Sequence, residues 1–440
     1  MKTVFIRELK HYPKSEILKI LGNNEKIFNQ LTEYAVIDAE NDMYHFKFVG
    51  VIIIENCVIN CYPKYISNKD NISRDFKQVL NVIKKYKKPH DDFSYENEEM
   101  EDISFNLLSL MLFFIEDYYE NGIYTNIQNI LETNGNGEIN WDRTINDNFA
   151  IIKDDRPYYT ELQTKYKIDD LYDYFRLLHE YIITECSKRL EKSNLLDYFD
   201  LMPIELSDRT LDDLGDRKYI ISKLEKEMNI EFNTHKQKLL KSMHAYLSNE
   251  NSFTNENFLT LYGTTTYHVI WEEMCSQVFG NKLDKQLKDI VNFNSKLRLI
   301  DLIEKPNWIS KEYSLRADNT FIPDLITFYK GNFIIFDAKY YNLTFKREKL
   351  AGHPGIESIS KQYFYELAFK DFIEKLKFEG VKNAFLFPTY AEKIENKGYV
   401  ELKMLHSIGL ENIQVVMLPA NEINQLYLEN KKMDISRLNL

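Results

Sequence analysis

Phe321-Ile-Pro-Asp-Leu-Ile-Thr-Phe-Tyr-Lys-Gly-Asn-Phe-Ile-Ile-Phe-Asp-Ala-Lys-Tyr340 is the stretch on which the reading of this chain turns. Two apolar, β-rich runs, Asp324-Leu-Ile-Thr-Phe-Tyr329 and Phe333-Ile-Ile-Phe336, flank Lys330-Gly331-Asn332. Runs of this kind around a glycine-containing turn form paired antiparallel strands. With Lys330 and Gly331 as the two turn residues, Asp324 falls opposite Asp337, a pairing that a shift of one residue would break. Lys339 stands two residues beyond Asp337 and therefore on the same face. Spacing alone gathers two carboxylates and an ammonium at the open end of a hairpin.

Two carboxylates can hold Mg²⁺, which takes hard oxygen ligands and keeps several waters. Such an ion polarises a phosphoryl oxygen and lowers the pKa of a bound water. A nearby lysine can orient that water, help deprotonate it, or stabilise charge on the phosphorane. Without a cation, two like charges so close are costly. The competing reading is a surface hairpin with an Asp–Lys ion pair. Pro323 before the first aspartate, the unbroken apolar strand Phe333-Ile-Ile-Phe336 and the hairpin-length separation weigh towards the metal site.

Pro323-Asp324 followed by Asp337-Ala-Lys339 resembles the PD-(D/E)xK nuclease motif, and Phe336-Asp-Ala-Lys-Tyr-Tyr341 is similar to the signature of LlaJI-type restriction endonucleases and their McrC relatives. Phe48-Val-Gly-Val51 with Tyr62-Pro-Lys-Tyr65, Gly137-Glu-Ile-Asn-Trp-Asp-Arg-Thr-Ile145 and Lys361-Gln-Tyr-Phe-Tyr365 resemble further segments of that family, so the resemblance spans most of the chain. It implies a Mg²⁺-dependent, DNA-cleaving enzyme of bacterial restriction, with Asp324 and Asp337 binding metal and Lys339 orienting water. It also implies a further carboxylate from a helix before the hairpin. The candidate is Tyr267-His-Val-Ile-Trp-Glu-Glu-Met-Cys-Ser-Gln-Val-Phe279, where Tyr267, Ile270, Trp271, Met274 and Val278 recur at helical spacing. Glu272 and Glu273 flank that apolar face, and the resemblance of Trp271-Glu272 to the aromatic-Glu pair of McrC-like proteins favours Glu272 as a third metal ligand.

Beyond the hairpin, Phe345-Lys-Arg-Glu-Lys-Leu-Ala-Gly-His-Pro-Gly355 has the composition of an exposed loop. Lys346, Arg347 and Lys349 are candidate DNA contacts, each with an ordinary surface role as the alternative. A helix is expected over 357–377, with Lys361 and Gln362 near its start. By resemblance Gln362 is a site residue and Lys361 a DNA contact. The related Gln-x-x-x-Tyr motif is matched only in part, because Glu366 stands where its Tyr would be. Val381-Lys-Asn-Ala-Phe-Leu-Phe-Pro388 reads as a buried strand ended by proline, and Ile413-Gln-Val-Val-Met-Leu-Pro419 as another. The order suits a mixed sheet flanked by helices.

The chain has 440 residues, 44% of them hydrophobic, enough for two or three domains with sizeable cores. A net charge of −12 excludes a surface coated for nucleic acid, though not a local basic groove. Cys57, Cys61, Cys186 and Cys275 show no zinc spacing and read as buried thiols of a cytoplasmic protein. The start of the chain lacks a signal-peptide core, and Phe48-Val-Gly-Val-Ile-Ile-Ile54 is too short to span a bilayer.

Residues 34–65 read as a β-meander with turns at Asn41-Asp42 and Glu55-Asn56. Tyr44, Phe46 and Phe48 share a face there, opposite His45 and Lys47. Helices are expected over 74–86, 103–119, 168–192 and 214–247. The run Lys84-Lys-Tyr-Lys-Lys88 precedes an acidic stretch and reads as a solvated linker before a DNA patch. Trp141 reads as a packing anchor.

The expected architecture is α+β/α/β and multidomain. Residues 1–130 form a β-meander with helices for DNA or partner binding, 131–250 a mainly helical middle, and 251–440 a PD-(D/E)xK nuclease domain with a mixed sheet flanked by helices. The leading expectation is a type II-like restriction endonuclease acting on double-stranded DNA, as a homodimer on its substrate. Alternatives are an McrC-like nuclease subunit driven by a separate McrB-like nucleotide-hydrolysing subunit, or a non-catalytic DNA-binding scaffold with a relic nuclease fold. No Gly-x-x-x-x-Gly-Lys-Ser/Thr phosphate loop is present, so the chain lacks a motor of that standard type.

Overall fold

The hairpin forms in the register its sequence implies. In the computed structural model, which describes residues 2–54, 57–67, 70–87, 107–249, 259–291, 293 and 295–440, the strands Leu325–Tyr329 and Asn332–Ala338 pair from Leu325 with Phe336 to Tyr329 with Asn332. Lys330 and Gly331 both have positive φ, 44° and 75°, which is the two-residue turn whose twist matches that of the strands. The apolar residues Phe333 to Phe336 are all buried because the second strand is covered on both faces.

This hairpin opens a five-stranded mixed sheet of order Leu325–Tyr329, Asn332–Ala338, Gly380–Thr389, Ile413–Pro419, Glu395–Val400. The three middle strands run parallel, and both outer pairs are antiparallel. Gly380–Thr389 is central, with Ala384 to Phe387 buried, as the absence of alternation in its sequence predicts. Pro388 does not end it. It pairs with Leu418, and Thr389 with Pro419, so proline sits within the last residues of the strand.

Helices cover the sheet. Tyr267–Phe279 buries Tyr267, Ile270, Trp271, Met274 and Val278, the stripe read from the sequence, and ends at Gly280 with φ 67°. The helix expected over 357–377 is broken into Ile356–Ala368 and Lys370–Leu376. The break falls at Phe369, whose fully buried ring packs 5.3 Å from that of Phe333. Packing of one aromatic thus overrides a continuous helical period. The loop expected over 345–355 contains a small hairpin, Thr344–Lys346 with Lys349–Ala351.

The chain divides into two units: residues 2–103 with 261–440, and residues 104–260 (Met1 apart). The sequence-based partition at 130 and 250 differs from this: residues 104–130 and 251–260 fall with the middle region, while residues 2–103 share a unit with 261–440. Their connection is physical. In the four-stranded sheet Lys2–Arg7 pairs in parallel with Cys57–Tyr62, which pairs with Val49–Ile54, which neighbours the strand Leu259–Thr264. A Cβ on Gly50 would stand 2.1 Å from the Tyr262 carbonyl, and one on Gly263 2.2 Å from that of Val49, so the two glycines permit this close approach. The single meander expected over 34–65 is instead two hairpins in different sheets. Ile37–Glu40 with Met43–Phe46 forms a two-stranded sheet of its own, turning at Asn41 and Asp42 with φ 50° and 60°, while Val49–Ile54 and Cys57–Tyr62 pair within the four-stranded sheet. The Glu55-Asn56 turn lies outside the described residues. His45, on the face opposite Tyr44 and Phe46, is also buried.

The helix Ile72–Lys87 packs against Ala420–Leu428. Its basic end is helical through Lys87 rather than a linker, and two of its lysines bond inward. Lys85 donates to the Tyr427 carbonyl and, at 2.7 Å, to Asn430, while Lys87 donates to the Gly263 carbonyl at 2.9 Å. The acidic stretch after it lies outside the described residues, as does the start of the helix expected at 103.

The other unit has helices Leu107–Asn121, Tyr174–Lys192, Arg217–Ile230 and Thr234–Asn249. Residues 168 and 169, expected to open a helix, end the strand Gln163–Asp169 of a three-stranded sheet instead. Trp141 opens a short helix and is 55% exposed, so it is no packing anchor in this unit. All four cysteines are buried. No helix among the described residues is long and apolar enough to cross a membrane.

The turn yields a test. Gly331→Ala would set a Cβ 2.8 Å from Glu379 Cδ at a φ that costs an L-residue about 1–2 kcal/mol. A loss of that order in the urea unfolding free energy is expected, and an unchanged midpoint would mean that the turn relaxes.

Candidate active site

Asp324 immediately precedes the first hairpin strand, and its carboxylate reaches across to the second: Oδ2 accepts the Ala338 N–H at 2.7 Å. Asp337 lies inside the second strand, 4% exposed, because strand alternation points it inward at a site the sheet covers. Lys339 follows one step beyond the strand. Its Nζ stands 2.6 Å from Asp337 Oδ2 in an ion pair. The carboxylates and ammonium read from the sequence therefore converge.

Two backbone ties fix this end of the hairpin to the rest of the sheet. The Leu386 carbonyl on the central strand accepts the Lys339 N–H at 2.9 Å and the Trp271 indole N–H at 3.2 Å. Trp271 is fully buried, so its one donor needs such a partner. The residue after it, Glu272, is thereby set beside the hairpin. Burial raises the Glu272 carboxyl; Lys339 lowers it and Asp337 raises it further. Glu273, one position on, acts on Lys85, Tyr86 and Tyr427, and Glu272 shares only Tyr86 with it. Helical geometry sends consecutive side chains to different faces, which separates the two glutamates where the sequence pattern did not.

The electrostatics are those of an acidic group short of positive charge. Burial, then Asp337 and Glu272, push the Asp324 carboxyl up to about 7, against the Ala338 N–H and Lys339. Burial also raises Asp337, against Lys339 and Lys361. For Lys339, burial alone would lower the ammonium, but Asp337 and Asp324 hold it above its ordinary value. One firmly protonated lysine faces three carboxylates. Glu272, Asp324 and Asp337 do not all bring an oxygen within 4.8 Å of one another.

The remaining candidates are dispersed. Lys361 lies near enough to Asp337 to lower it and pairs with Glu357 at 2.6 Å. Lys346 and Lys349 pair across the small hairpin with Arg347 at its tip, all exposed. Gln362 is fully buried under the sheet. Its amide donates to Asn383 Oδ1 at 2.5 Å, its Oε1 has no hydrogen-bond partner, and Asn383 in turn donates to the Gln362 carbonyl and to Glu366. Burial pushes the Glu366 carboxyl up to about 7, against the Asn383 bond, with Glu411 raising it further.

Three neighbours escaped the sequence reading. Tyr365, three residues after Gln362 and so on the same side of the helix, is raised by burial and then by Asp337, Asp324 and Glu272. A search for tyrosine four residues after Gln362 passes over it, though helical periodicity admits either spacing. Asn281 donates to the Asp324 carbonyl at 3.2 Å and accepts the Ile326 N–H at 3.1 Å, clamping the first strand below the helix. Glu8 accepts the Tyr340 hydroxyl at 2.5 Å and the Lys64 N–H at 3.0 Å. Lys64 Nζ lies 4.2 Å from the centre of the Tyr340 ring. No local pattern marks Asn281 or Glu8, because their partners are distant in sequence.

The geometry is that of a buried acidic hairpin end with one lysine, and comparison with known proteins supplies its lineage. A model of the LlaJI restriction endonuclease family matches residues 48–421. A curated relative from Bacillus subtilis (strain 168), described as the type II restriction enzyme BsuMI component YdjA, is 29% identical, over 97% of this chain and 90% of its own length. Among solved structures, a half-complex of Thermococcus gammatolerans McrB AAA+ hexamers with bound McrC matches with 11% identity and TM-score 0.39, over 98% of this chain and 100% of that one. A second structure, the T. gammatolerans McrBC complex, matches with 10% identity and TM-score 0.26, over 62% and 85%. Because the family match covers most of the chain, from residue 48 through the hairpin to residue 421, this chain belongs to the LlaJI restriction endonuclease family.

Proposed function

We propose that the chain hydrolyses DNA phosphodiester bonds at the open end of the hairpin, as a PD-(D/E)xK nuclease using Mg²⁺. The observation that carries this reading is the juxtaposition of half-buried Asp324 and buried Asp337 with Lys339, with Glu272 in electrostatic reach. The residues suit a hard cation: the donors are carboxylate oxygens, and burial, with Asp337 and Glu272 adding to it at Asp324, raises both aspartates. Asp324 and Asp337, with Glu272 as the third carboxylate, would hold the ion, waters completing its shell. When bound, Mg²⁺ supplies Lewis-acid polarisation of the phosphoryl oxygen and a more acidic water.

The chain's own residues divide the remaining work. Lys339, held protonated by Asp337, orients the attacking water and stabilises negative charge on the phosphorane rather than acting as a base. Lys361 at the rim and Lys346, Arg347 and Lys349 on the small hairpin are the candidate phosphate contacts. Gln362, tied to Asn383, acts by holding the helix Ile356–Ala368 on the sheet. Cutting both strands needs two such sites, and a homodimer on double-stranded DNA would supply them. A second reading follows from the Bacillus relative, which is described as a component of a restriction enzyme. On that reading the chain cleaves only beside a nucleotide-hydrolysing partner subunit.

Purified protein is incubated with unmethylated phage DNA, with Mg²⁺ or EDTA. Discrete Mg²⁺-dependent fragments are expected, with Asp337→Ala and Lys339→Ala slowed on the order of 10²–10³-fold or more. Cleavage that survives Asp337→Ala would remove the site from the hairpin, and cleavage only after adding a nucleotide-hydrolysing partner would establish the second reading. Glu272→Gln is expected to slow cleavage at least tenfold where Glu273→Gln does not (about 1.4 kcal/mol of barrier). Equal effects would deny Glu272 its place.

Stability should report the same charge shortage. The Asp324 carboxyl, raised from 3.8 to about 7 in the folded chain, keeps a proton that the unfolded chain gives up at lower pH. The folded state therefore binds more protons between those values, and its stability falls as pH rises from about 4 to about 7. In EDTA, urea midpoints of the wild type should decline over this window more steeply than those of Asp324→Asn. Mg²⁺ added above pH 7 should restore the wild type and not the variant. Parallel slopes in the two proteins would refute the assignment.

A further inference from the structure

Three side chains with metal-ligand chemistry meet outside the carboxylate site. His11 lies just after the strand Lys2–Arg7, and Glu40 and His45 lie on the two strands of the hairpin Ile37–Glu40 and Met43–Phe46. Each offers a ligand atom within 4.8 Å of those of the other two. His11 Nε2 and Glu40 Oε2 are 3.0 Å apart. The ring centres of His11 and His45 are 5.2 Å apart, with their planes inclined by 58°. Two imidazoles bound to one tetrahedral ion through nitrogens at about 2.0–2.1 Å have their ring centres about 5 Å apart, so the observed spacing is that of a shared ligand.

A surface ion pair accounts for His11 and Glu40, which are 47% and 59% exposed, but not for His45. That residue is only 8% exposed, and its Nδ1 is buried with no hydrogen-bond partner. Leaving a buried polar atom unmatched costs free energy, so native structures rarely do it without a bound water, an ion or a function. His45 stands in the strand opposite Asp38, which leaves Glu40 as the diagonal neighbour on the same face.

We infer that His11, Glu40 and His45 form a binding site for a divalent transition metal, with zinc the best match. Two imidazoles and one carboxylate are a zinc-type donor set, whereas Mg²⁺ prefers oxygen alone. The fourth position is open to water. The ion joins the segment after the first strand to the hairpin, two pieces otherwise linked by the Tyr12–Tyr44 bridge and the Leu9 N–H to the Phe46 carbonyl at 2.9 Å. Three residues before His11, Glu8 holds Tyr340, the neighbour of Lys339. The site thus braces the piece of chain that secures this end of the catalytic hairpin, without taking part in the chemistry there.

The test uses untagged full-length protein, stripped with a chelator, loaded with Zn²⁺ and desalted, with zinc read by mass spectrometry and Co²⁺ substitution read by visible absorption. One zinc per chain is expected, with tetrahedral-type Co²⁺ bands. The double variant Asp324→Asn/Asp337→Asn should retain it. His11→Ala and Glu40→Gln, at exposed positions that leave the fold intact, should each weaken it about tenfold or more. His45→Ala, checked for folding by circular dichroism, should abolish it. Absence of retained zinc in the wild type, or full retention in His11→Ala, would overturn the inference.

Discussion

One carbonyl oxygen, that of Leu386, holds the candidate site together. It accepts the N–H of Lys339 from the hairpin and the indole N–H of Trp271 from the helix, and it belongs to the central strand of the sheet. A carbonyl has two lone pairs, and here both are used to fasten separate elements to the most buried strand. Asp337 and Glu272 are thereby set by rigid parts rather than by loops. Positioning of this kind is what a phosphoryl-transfer site asks of a protein, since the side chains contribute placement and charge more than covalent chemistry.

Charge is the second constraint. The protein has a net charge of −12, and the site repeats that imbalance locally. Three carboxylates share one well-paired lysine, and the two aspartates are pushed towards neutrality by burial, Asp324 also by Asp337 and Glu272. A fold stabilised only for itself would replace such a group with apolar residues or add a second base. The cost persists where a cation or a substrate supplies the missing charge, which is why perturbed carboxyls in a buried cluster point to function.

The N-terminal segment contributes more than its position in the chain suggests. Its first strand ends at Arg7, and the next residue, Glu8, is buried against Tyr340 and Lys64. Tyr65 and Tyr267 pack their rings near that of Tyr340. A buried carboxylate with two donors and an ammonium nearby is a satisfied group, and it fixes the backbone that carries Lys339. The likeness to the LlaJI family beginning at residue 48 takes in the Lys64-Tyr65 side of this contact, while Glu8 comes from before it.

The sequence by itself determined the hairpin, its register and the meeting of Asp324, Asp337 and Lys339, because strand period and turn chemistry are local. It likewise determined the helix Tyr267–Phe279 and the central strand, through apolar stripes that bury whatever their surroundings. Tertiary structure decided which glutamate turns to the hairpin, since Glu272 and Glu273 flank one stripe and only the Trp271–Leu386 bond fixes the helix's rotation. It decided that the helix after the hairpin breaks at Phe369, where packing outweighs period, and that Lys85 and Lys87 bond inward. It alone joined Glu8 to Tyr340 and His11 to His45. Those contacts link residues far apart in the chain or in separate strands, and no local periodicity encodes a meeting that depends on how whole elements pack.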